Sequence, residues 1–297
     1  MRYIGEISYF DLARGVHSND ISLLFPEWRA GDERIAVLCP HDDDGLLGAG
    51  YAIIAAQAQG GSVYIFIYCN GCAGFSTPEE KATIVETRRQ ETLAAYAELG
   101  IAAENIVRFD YPDFSVAPNI GWLMPWGGEG TFPATLRTLR RLKITRVLVP
   151  NGYREHIDHE SVYRIGTYDA PQVGDNILAD WGSAPPVRSC LEYAVWGDFS
   201  PEDALVCGRD LSLRANRAIL APPQVEDTVE RGIRRFRSQS RVIEGLVAAR
   251  KNRRNEKGVI ELYLAFDPRP PLDYGPYHEA IRRISSVEGE KQSAWNE

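Results

Sequence analysis

The sequence predicts an α/β fold in which a mostly parallel β-sheet carries helices on both faces. Short apolar runs of strand length alternate along the chain with longer segments of helical character. The apolar runs are continuous rather than alternating, as expected for strands that are covered on both sides. Right-handed crossovers through the intervening helices then place these strands in one sheet.

The first half of the chain contains the clearest elements. Residues 35–38 form the first predicted strand, and residues 45–60 form an Ala-rich helix that ends at a Gly-Gly pair. Residues 63–68 form a second strand, rich in β-branched and aromatic side chains. A long helix over residues 78–100 begins at a proline and has acidic residues in its first turn. Residues 106–109 form the third strand.

The second half of the chain is less regular. Residues 135–142 are predicted to be helical, and residues 146–150 form a fourth apolar strand. Two later strands are expected at residues 191–196 and 259–266, and one long charged helix at residues 225–250. Two loops rich in Pro, Gly and Trp are expected at residues 111–130 and 167–186. We expect a single domain, with residues 1–33 as an N-terminal extension, 34–165 as the core and 166–297 as its C-terminal completion.

Composition and charge restrict the function classes. The chain has 33 Lys and Arg against 41 Asp and Glu, a net charge of −8, which argues against nucleic-acid binding and against binding to anionic membranes. The N-terminus lacks the basic start and apolar run of a signal peptide, and no apolar stretch is long enough to span a bilayer. We therefore expect a cytoplasmic protein without membrane insertion, and the sequence leaves homo-oligomer formation open.

Isolated cysteines and histidines are expected to have structural roles. The five cysteines are an odd number in a long chain, so a disulfide framework is not expected. Cys69 and Cys72 have the spacing of a redox or metal pair, but no second pair accompanies them. His17 and His278 stand alone in the sequence. No Gly-rich phosphate-binding motif follows the first strand, which disfavours dinucleotide and P-loop chemistry.

A Pro-His-Asp-Asp-Asp-Gly segment at residues 40–45 directly follows the first predicted strand. In an open α/β sheet, ligands bind at this carboxyl edge of the strands. A solvated turn in which Asp44 caps the next helix is the simpler alternative for this segment alone. Imidazole with carboxylate, however, is a standard ligand set for zinc and related divalent metals. The segment therefore predicts a metal site.

The fourth predicted strand is followed by similar chemistry. Residues 149–159 read VPNGYREHIDH, so two of the five histidines in the chain, His156 and His159, fall within four residues. A pair of surface histidines near a helix start is the alternative for this segment alone. Because the first and fourth strands can be neighbours in a parallel sheet, both segments could converge on one crevice. Together they would supply two histidines and a carboxylate as metal ligands.

The segments PHDDD and HIDH resemble the signatures AHPDDE and HPDH of the LmbE-like (PIG-L) zinc-dependent de-N-acetylases. This resemblance implies a Rossmann-like α/β domain that removes acetyl groups from N-acetylglucosaminyl compounds and related amides. It implies one Zn²⁺, or another divalent metal, bound by His41, Asp44 and His159. By the same resemblance, Asp43 is the general base and His156 helps to stabilise the oxyanion.

Further residues extend the resemblance toward the substrate. Arg88 begins an Arg-x-x-Glu motif that resembles the family helix whose arginine reaches the substrate. Asp113 follows Tyr-Pro and resembles the Pro-Asp turn that binds sugar hydroxyls, and the Phe-Arg-Ser-Gln segment at residues 236–239 resembles a late Ser-Gln motif on a long helix. Trp122 and Trp126 could stack on sugar rings or could anchor their loop to the core.

The expected substrate is a small N-acetylated sugar or glycoside, and Asp158 is expected to orient one of the imidazoles. The sequence departs from the family signatures at Asp42, Gly45 and Ile157, which replace Pro, Glu and Pro, so a specific substrate does not transfer. An amidase acting on a non-sugar or thiol-conjugate amide is one alternative. A magnesium-dependent phosphohydrolase built on the three aspartates is another, and a non-catalytic sugar-binding protein is a third.

Overall fold

A computed structural model of the protein describes residues 7–153, 155–196, 214–267, 269 and 273–293. Within these residues, strands β1 to β10 are Ser8–Asp11, Val16–Ser18, Arg34–Cys39, Ser62–Cys69, Ile106–Tyr111, Arg146–Pro150, Ser189–Tyr193, Arg217–Ala221, Arg254–Asn255 and Gly258–Phe266. Helices α1 to α7 are Asp44–Ala58, Ile84–Glu98, Thr131–Arg141, Ile157–Asp169, Pro223–Ile233, Ser240–Arg250 and Gly275–Ser293.

Five strands form a parallel half-sheet, as the sequence predicts. Their spatial order is β5-β4-β3-β6-β7, and each connection between them crosses over through a helix. After β5 the chain returns to the other side of β3, so that β3 and β6 are neighbours. Ligand crevices open at such a reversal of strand order, outside the carboxyl ends of the strands.

The sheet continues on its other side as an antiparallel half, which the sequence did not reveal. Strand β10 pairs antiparallel with β7 and with β8, and β1 and β2 extend the sheet beyond β8. The N-terminal extension therefore supplies the last two strands at one edge of the same sheet. These strands have four and three residues, too few for a periodic pattern to be recognised.

Helices cover both faces of the sheet and bury two apolar cores. Side chains of α1, α2, α5 and α6 pack on one face, and those of α3 and α4 pack on the other. In β3, Ile35 and Val37 point into the first core, whereas Ala36 and Leu38 point into the second. Because both faces of β3 are covered, this strand is a continuous apolar run.

The prediction of one long helix over residues 225–250 is wrong, because the chain breaks between α5 and α6. At the break Phe236 is buried, and its ring centroid lies 4.6 Å from the Arg88 guanidinium carbon. The Ser238 backbone N–H and hydroxyl donate to the Glu91 carboxylate at 2.8 and 2.6 Å. These contacts replace the hydrogen bonds that a continuous helix would make.

Two other predicted boundaries differ from the structure. The predicted helix over residues 78–100 begins as a 3₁₀ turn, Pro78–Ala82, because the Glu80 carboxylate accepts backbone N–H bonds from Ser76 and Thr77. Helix α2 starts after this turn. Helix α3 starts at Thr131, four residues before the predicted position.

Among the described residues, no helix combines the length and the apolar character needed to cross a membrane. The described cysteines, Cys39, Cys69, Cys72 and Cys190, are free thiols. Cys207 lies outside the described residues.

Candidate functional site

The two sequence motifs meet at the carboxyl edge of the parallel half-sheet. Residues 40–43 connect β3 to α1, and residues 151–156 connect β6 to α4. Since β3 and β6 are paired, the histidines at their ends come together. The His41 ring centroid lies 4.8 Å from that of His156 and 5.5 Å from that of His159.

His41, Asp44 and His159 form a set of metal-ligand donors. One ligand atom of each residue lies within 4.8 Å of the others. The Asp44 Oδ2 atom is 3.3 Å from His41 Nδ1 and 3.4 Å from His159 Nε2. Two imidazole nitrogens and a carboxylate suit Zn²⁺ and related divalent ions, so the residues present fit such a metal.

The electrostatics of these residues favour a cation beside Asp44. Burial would lower the pKa of His159, but the Asp44 carboxylate overcomes this effect and raises it to about 9. Burial likewise opposes ionisation of Asp44, yet the adjoining His159 and His41 lower the pKa of that carboxyl. A divalent metal would therefore replace a proton that the imidazoles share with Asp44.

Glu155 holds His159 in place, a role that the sequence analysis missed. Its Oε2 atom lies 2.9 Å from His159 Nδ1, which leaves Nε2 facing Asp44. Its Oε1 atom accepts backbone N–H bonds from Val195 and Trp196, both at 3.1 Å. Carboxylates that bind the second nitrogen of a histidine ligand orient the ring and raise its basicity. The four-residue spacing of Glu155 and His159 was the available signal.

We expect Glu155→Gln to weaken Zn²⁺ binding about 10- to 100-fold, because glutamine keeps the size of the side chain but loses the charge that polarises His159. The dissociation constant is measured by competition with a chromogenic chelator. Glu160→Gln, which removes the same charge from the first turn of α4, is the matched control. Equal affinities of both variants and the unaltered protein would contradict this role of Glu155.

Asp158 lies beside two of the imidazoles. Its Oδ2 atom is 3.4 Å from His41 Nε2 and 3.6 Å from His156 Nδ1. The carboxylate also accepts backbone N–H bonds from Phe114 at 2.7 Å and Val116 at 3.3 Å. It therefore ties the loop after β5 to the start of α4, and its orientation of an imidazole stays a prediction.

His156 caps α4 and faces the cleft. Its Nδ1 atom accepts the backbone N–H of Asp158 at 3.1 Å, which assigns the proton of the neutral ring to Nε2. Burial and the neighbouring His41 lower the pKa of His156 below its ordinary value of 6.5. A neutral His156 can donate one hydrogen bond from Nε2.

Asp43 and Arg88 form another wall of the cleft. Both are buried, and Arg88 Nη2 lies 3.4 Å from Asp43 Oδ1. Burial raises the pKa of Asp43 above its ordinary value of 3.8, although the Arg88 guanidinium opposes this shift. The Arg88 Nη1 atom is buried and has no hydrogen-bond partner among the described residues. Because a buried donor without a partner is costly, this atom marks a place for an acceptor on a ligand.

The cleft has a volume of about 190 Å³. It is lined by residues of both motifs, by Leu47 of α1 and by residues of five other segments: His41, Asp43, Asp44, Leu47, Gly71, Ala73, Gly74, Arg88, Asp113, Phe114, His156, His159, Val195, Trp196, Gln239, Val242 and Leu246.

In a comparison with known protein families, residues 36–168 match the family model described as PIG-L: GlcNAc-PI de-N-acetylase. The matched residues make up slightly less than half of the chain and include both metal-ligand motifs. PIG-L is a family of deacetylases, which agrees with the resemblance of the two motifs. A search of the curated proteins finds no match to this sequence.

Several solved structures share the fold of this chain. N,N'-diacetylchitobiose deacetylase from Pyrococcus horikoshii superposes with a TM-score of 0.59 and 17% identity, covering 80% of this chain and 84% of that chain. A conserved protein from Thermus thermophilus superposes with a TM-score of 0.56 and 23% identity, covering 80% of this chain and 96% of that chain. The 4-carboxy-2-hydroxymuconate hydratase from Pseudomonas putida superposes with a TM-score of 0.53 and 18% identity, covering 81% of this chain and 99% of that chain. Since one fold can support different chemistries, the activity has to be argued from the site.

Asp42 departs from the PIG-L signature and has a distinct role here. Its carboxylate is fully buried and accepts hydrogen bonds from Arg88 Nε at 3.3 Å and from the Thr92 hydroxyl at 2.6 Å. Arg108 donates to the same carboxylate. Asp42 does not line the cleft, and its contact with Arg88 holds that side chain at the cleft wall.

Asp113 lies at the cleft, where its carboxylate shapes a neighbouring loop. Its two oxygens accept backbone N–H bonds from Gly71 at 2.9 Å and Ala73 at 2.8 Å. Gln239, from the predicted Ser-Gln motif, lines the cleft next to this loop. The contact of Asp113 with sugar hydroxyls stays a prediction.

Trp122 and Trp126 are not among the residues that line the cleft. The Trp122 ring packs against Phe132 and Trp181 at centroid distances of 5.6 and 5.3 Å, which fits the alternative that it anchors the loop. Trp126 is 65% exposed. The start of the same loop lines the cleft with Asp113 and Phe114, whereas these tryptophans, farther along the loop, do not line it.

Phe114 and Trp196 are the large aromatic side chains at the cleft besides His41, His156 and His159. Both are 63% exposed, so their faces are accessible to a ligand. Phe114 also packs against His156, with ring centroids 4.6 Å apart. Each follows shortly after the end of a strand of the parallel half-sheet, which was the signal available in the sequence.

Proposed function

We propose that the protein is a metal-dependent hydrolase that removes the N-acetyl group from an N-acetylglucosamine-type sugar or glycoside. The observation that carries this proposal is the convergence of three metal-ligand donors, His41, Asp44 and His159, with Asp43 and His156 in one cleft. The match to the PIG-L family model supports the deacetylase class.

The three donors would hold one Zn²⁺ or a related divalent ion per chain. When bound, such an ion supplies Lewis acidity that polarises the acetyl carbonyl and makes water easier to deprotonate. Asp43 accepts the proton of the attacking water, and its raised pKa helps it to retain that proton. His156 donates its Nε2–H to the carbonyl oxygen as negative charge develops there. Asp43 then returns the proton to the departing amine.

The remaining residues at the cleft would position the substrate. The unpartnered Arg88 Nη1–H is available to an oxygen acceptor on the sugar. Phe114 and Trp196 offer exposed rings on which a sugar can stack. The volume of about 190 Å³ lies below the range of pockets that enclose drug-sized ligands, so the cleft suits an acetamido group with its adjoining ring.

The alternative magnesium-dependent phosphohydrolase has less support. It requires the three consecutive aspartates to face one metal, but Asp42 is engaged by Arg88, Arg108 and Thr92. The donors contributed by His41 and His159 would also be unnecessary for a magnesium site, because this ion prefers oxygen ligands.

We expect the purified protein to release free amine from at least one member of a panel of N-acetylated sugars, glycosides and thiol conjugates. A chelator should abolish this activity, and added Zn²⁺ should restore it. Amine is detected with an amine-reactive fluorophore, and phosphate release from an aryl phosphate is measured in parallel. Amine release that resists chelation, or phosphate release without amine release, would overturn the proposal.

A further inference from the structure

A second and larger cavity adjoins the cleft. It has a volume of about 710 Å³, whereas the cleft has about 190 Å³. The two spaces share four lining residues, Leu47, Val195, Trp196 and Leu246. All four side chains are apolar or aromatic, so a continuous apolar surface leads from the metal-ligand donors into the larger cavity.

The side chains that line the larger cavity are mostly apolar. Beyond the shared wall, its apolar members are Ala194, Ala249, Ile260 and Leu262. Each of its three arginines has a carboxylate partner. Arg250 pairs with Glu226 at 2.8 and 2.7 Å, Arg253 pairs with Glu261 at 2.8 Å, and Arg254 lies 3.6 Å from Asp227. These pairings leave the cavity suited to an apolar ligand rather than to an anion.

We propose that this cavity binds an alkyl or aryl substituent carried by the same substrate whose acetamido group occupies the cleft. The inference rests on the proposed function and adds the substrate class, an N-acetylated glycoside with an apolar aglycone. The shared wall argues for this occupant, since a ligand that reaches the cavity from the cleft must pass Leu47 and Trp196. A volume of about 710 Å³ lies within the range of pockets that enclose whole small molecules.

The test compares methyl, butyl and hexyl glycosides of N-acetylglucosamine. Burial of each methylene in an apolar site should raise kcat/KM about fourfold. Ala249 lines the larger cavity but not the cleft, so Ala249→Trp should fill the cavity and remove this dependence on chain length. The value for the methyl glycoside should stay unchanged. Ala248→Trp, at the adjacent exposed position of α6 outside the lining, is the matched control.

A second measurement separates this inference from the proposed function. Hexyl β-D-glucoside has the alkyl chain but no amide, and its binding is measured by calorimetry. Binding that Ala249→Trp abolishes and Ala248→Trp retains supports the cavity even if no amide is hydrolysed. Amine release with equal kcat/KM for all three glycosides would overturn the inference and leave the proposed function intact. Chain-length dependence that survives Ala249→Trp would also overturn it.

Discussion

His159→Ala is expected to lose both metal binding and amine release, with a fall in kcat/KM of about 10³-fold or more. His159 presents Nε2 to Asp44, and Glu155 holds the opposite ring nitrogen, so no neighbouring side chain can take its position without a rearrangement. A metal ion supplies several kcal/mol of charge stabilisation to the transition state, which corresponds to a rate effect of this size.

Metal content after dialysis and amine release are measured on the same preparation. The variant also removes the cation between Asp44 and Glu155, so thermal unfolding is recorded in metal-free buffer to separate lost stability from lost chemistry. His278→Ala is the control, because its exposed imidazole lies on α7 and not in the cleft. A His159→Ala protein that binds one equivalent of metal and turns over would remove His159 from the proposed ligand set.

The parallel half of the fold could be predicted because its information is local. β3 and β6 are apolar on both faces, and each ends directly at a cluster of polar side chains. The antiparallel half could not be predicted in this way. Its strands β1 and β2 are very short. Strand β1 pairs with β8, which is far away in the sequence, so the local sequence pattern does not predict this pairing.

The site shows the same division between local and tertiary information. The residue types of the two motifs indicated a metal, and the pairing of β3 and β6 brings those motifs together. The break at residues 234–239 depends on the bonds from Ser238 to Glu91, which join positions far apart in sequence. Likewise, Trp196 reaches the cleft because its backbone N–H donates to Glu155. The sequence around Trp196 contains no pattern that predicts this hydrogen bond.

Asp43→Asn is expected to retain the metal but to lose about 10² to 10⁴ in kcat, the usual contribution of a general base. The substitution keeps the size of the side chain and leaves His41, Asp44 and His159 intact. An amide cannot accept the proton of water, so the loss should persist at saturating Zn²⁺. The control is Asp110→Asn, because Asp110 is exposed and asparagine tolerates its left-handed backbone at φ 59°.

The pH profile gives this prediction a second readout with a defined sign. A base must be deprotonated, so kcat should fall as the pH drops through the pKa of Asp43. Burial raises that pKa, whereas a divalent metal held by the adjoining Asp44 would lower it, so the position of the acid limb measures the balance of these two effects. In Asp43→Asn this limb should disappear together with most of the activity. If the variant keeps near-native turnover and the same acid limb, the proton is accepted by another group, and His156, which faces the same cleft, becomes the candidate base.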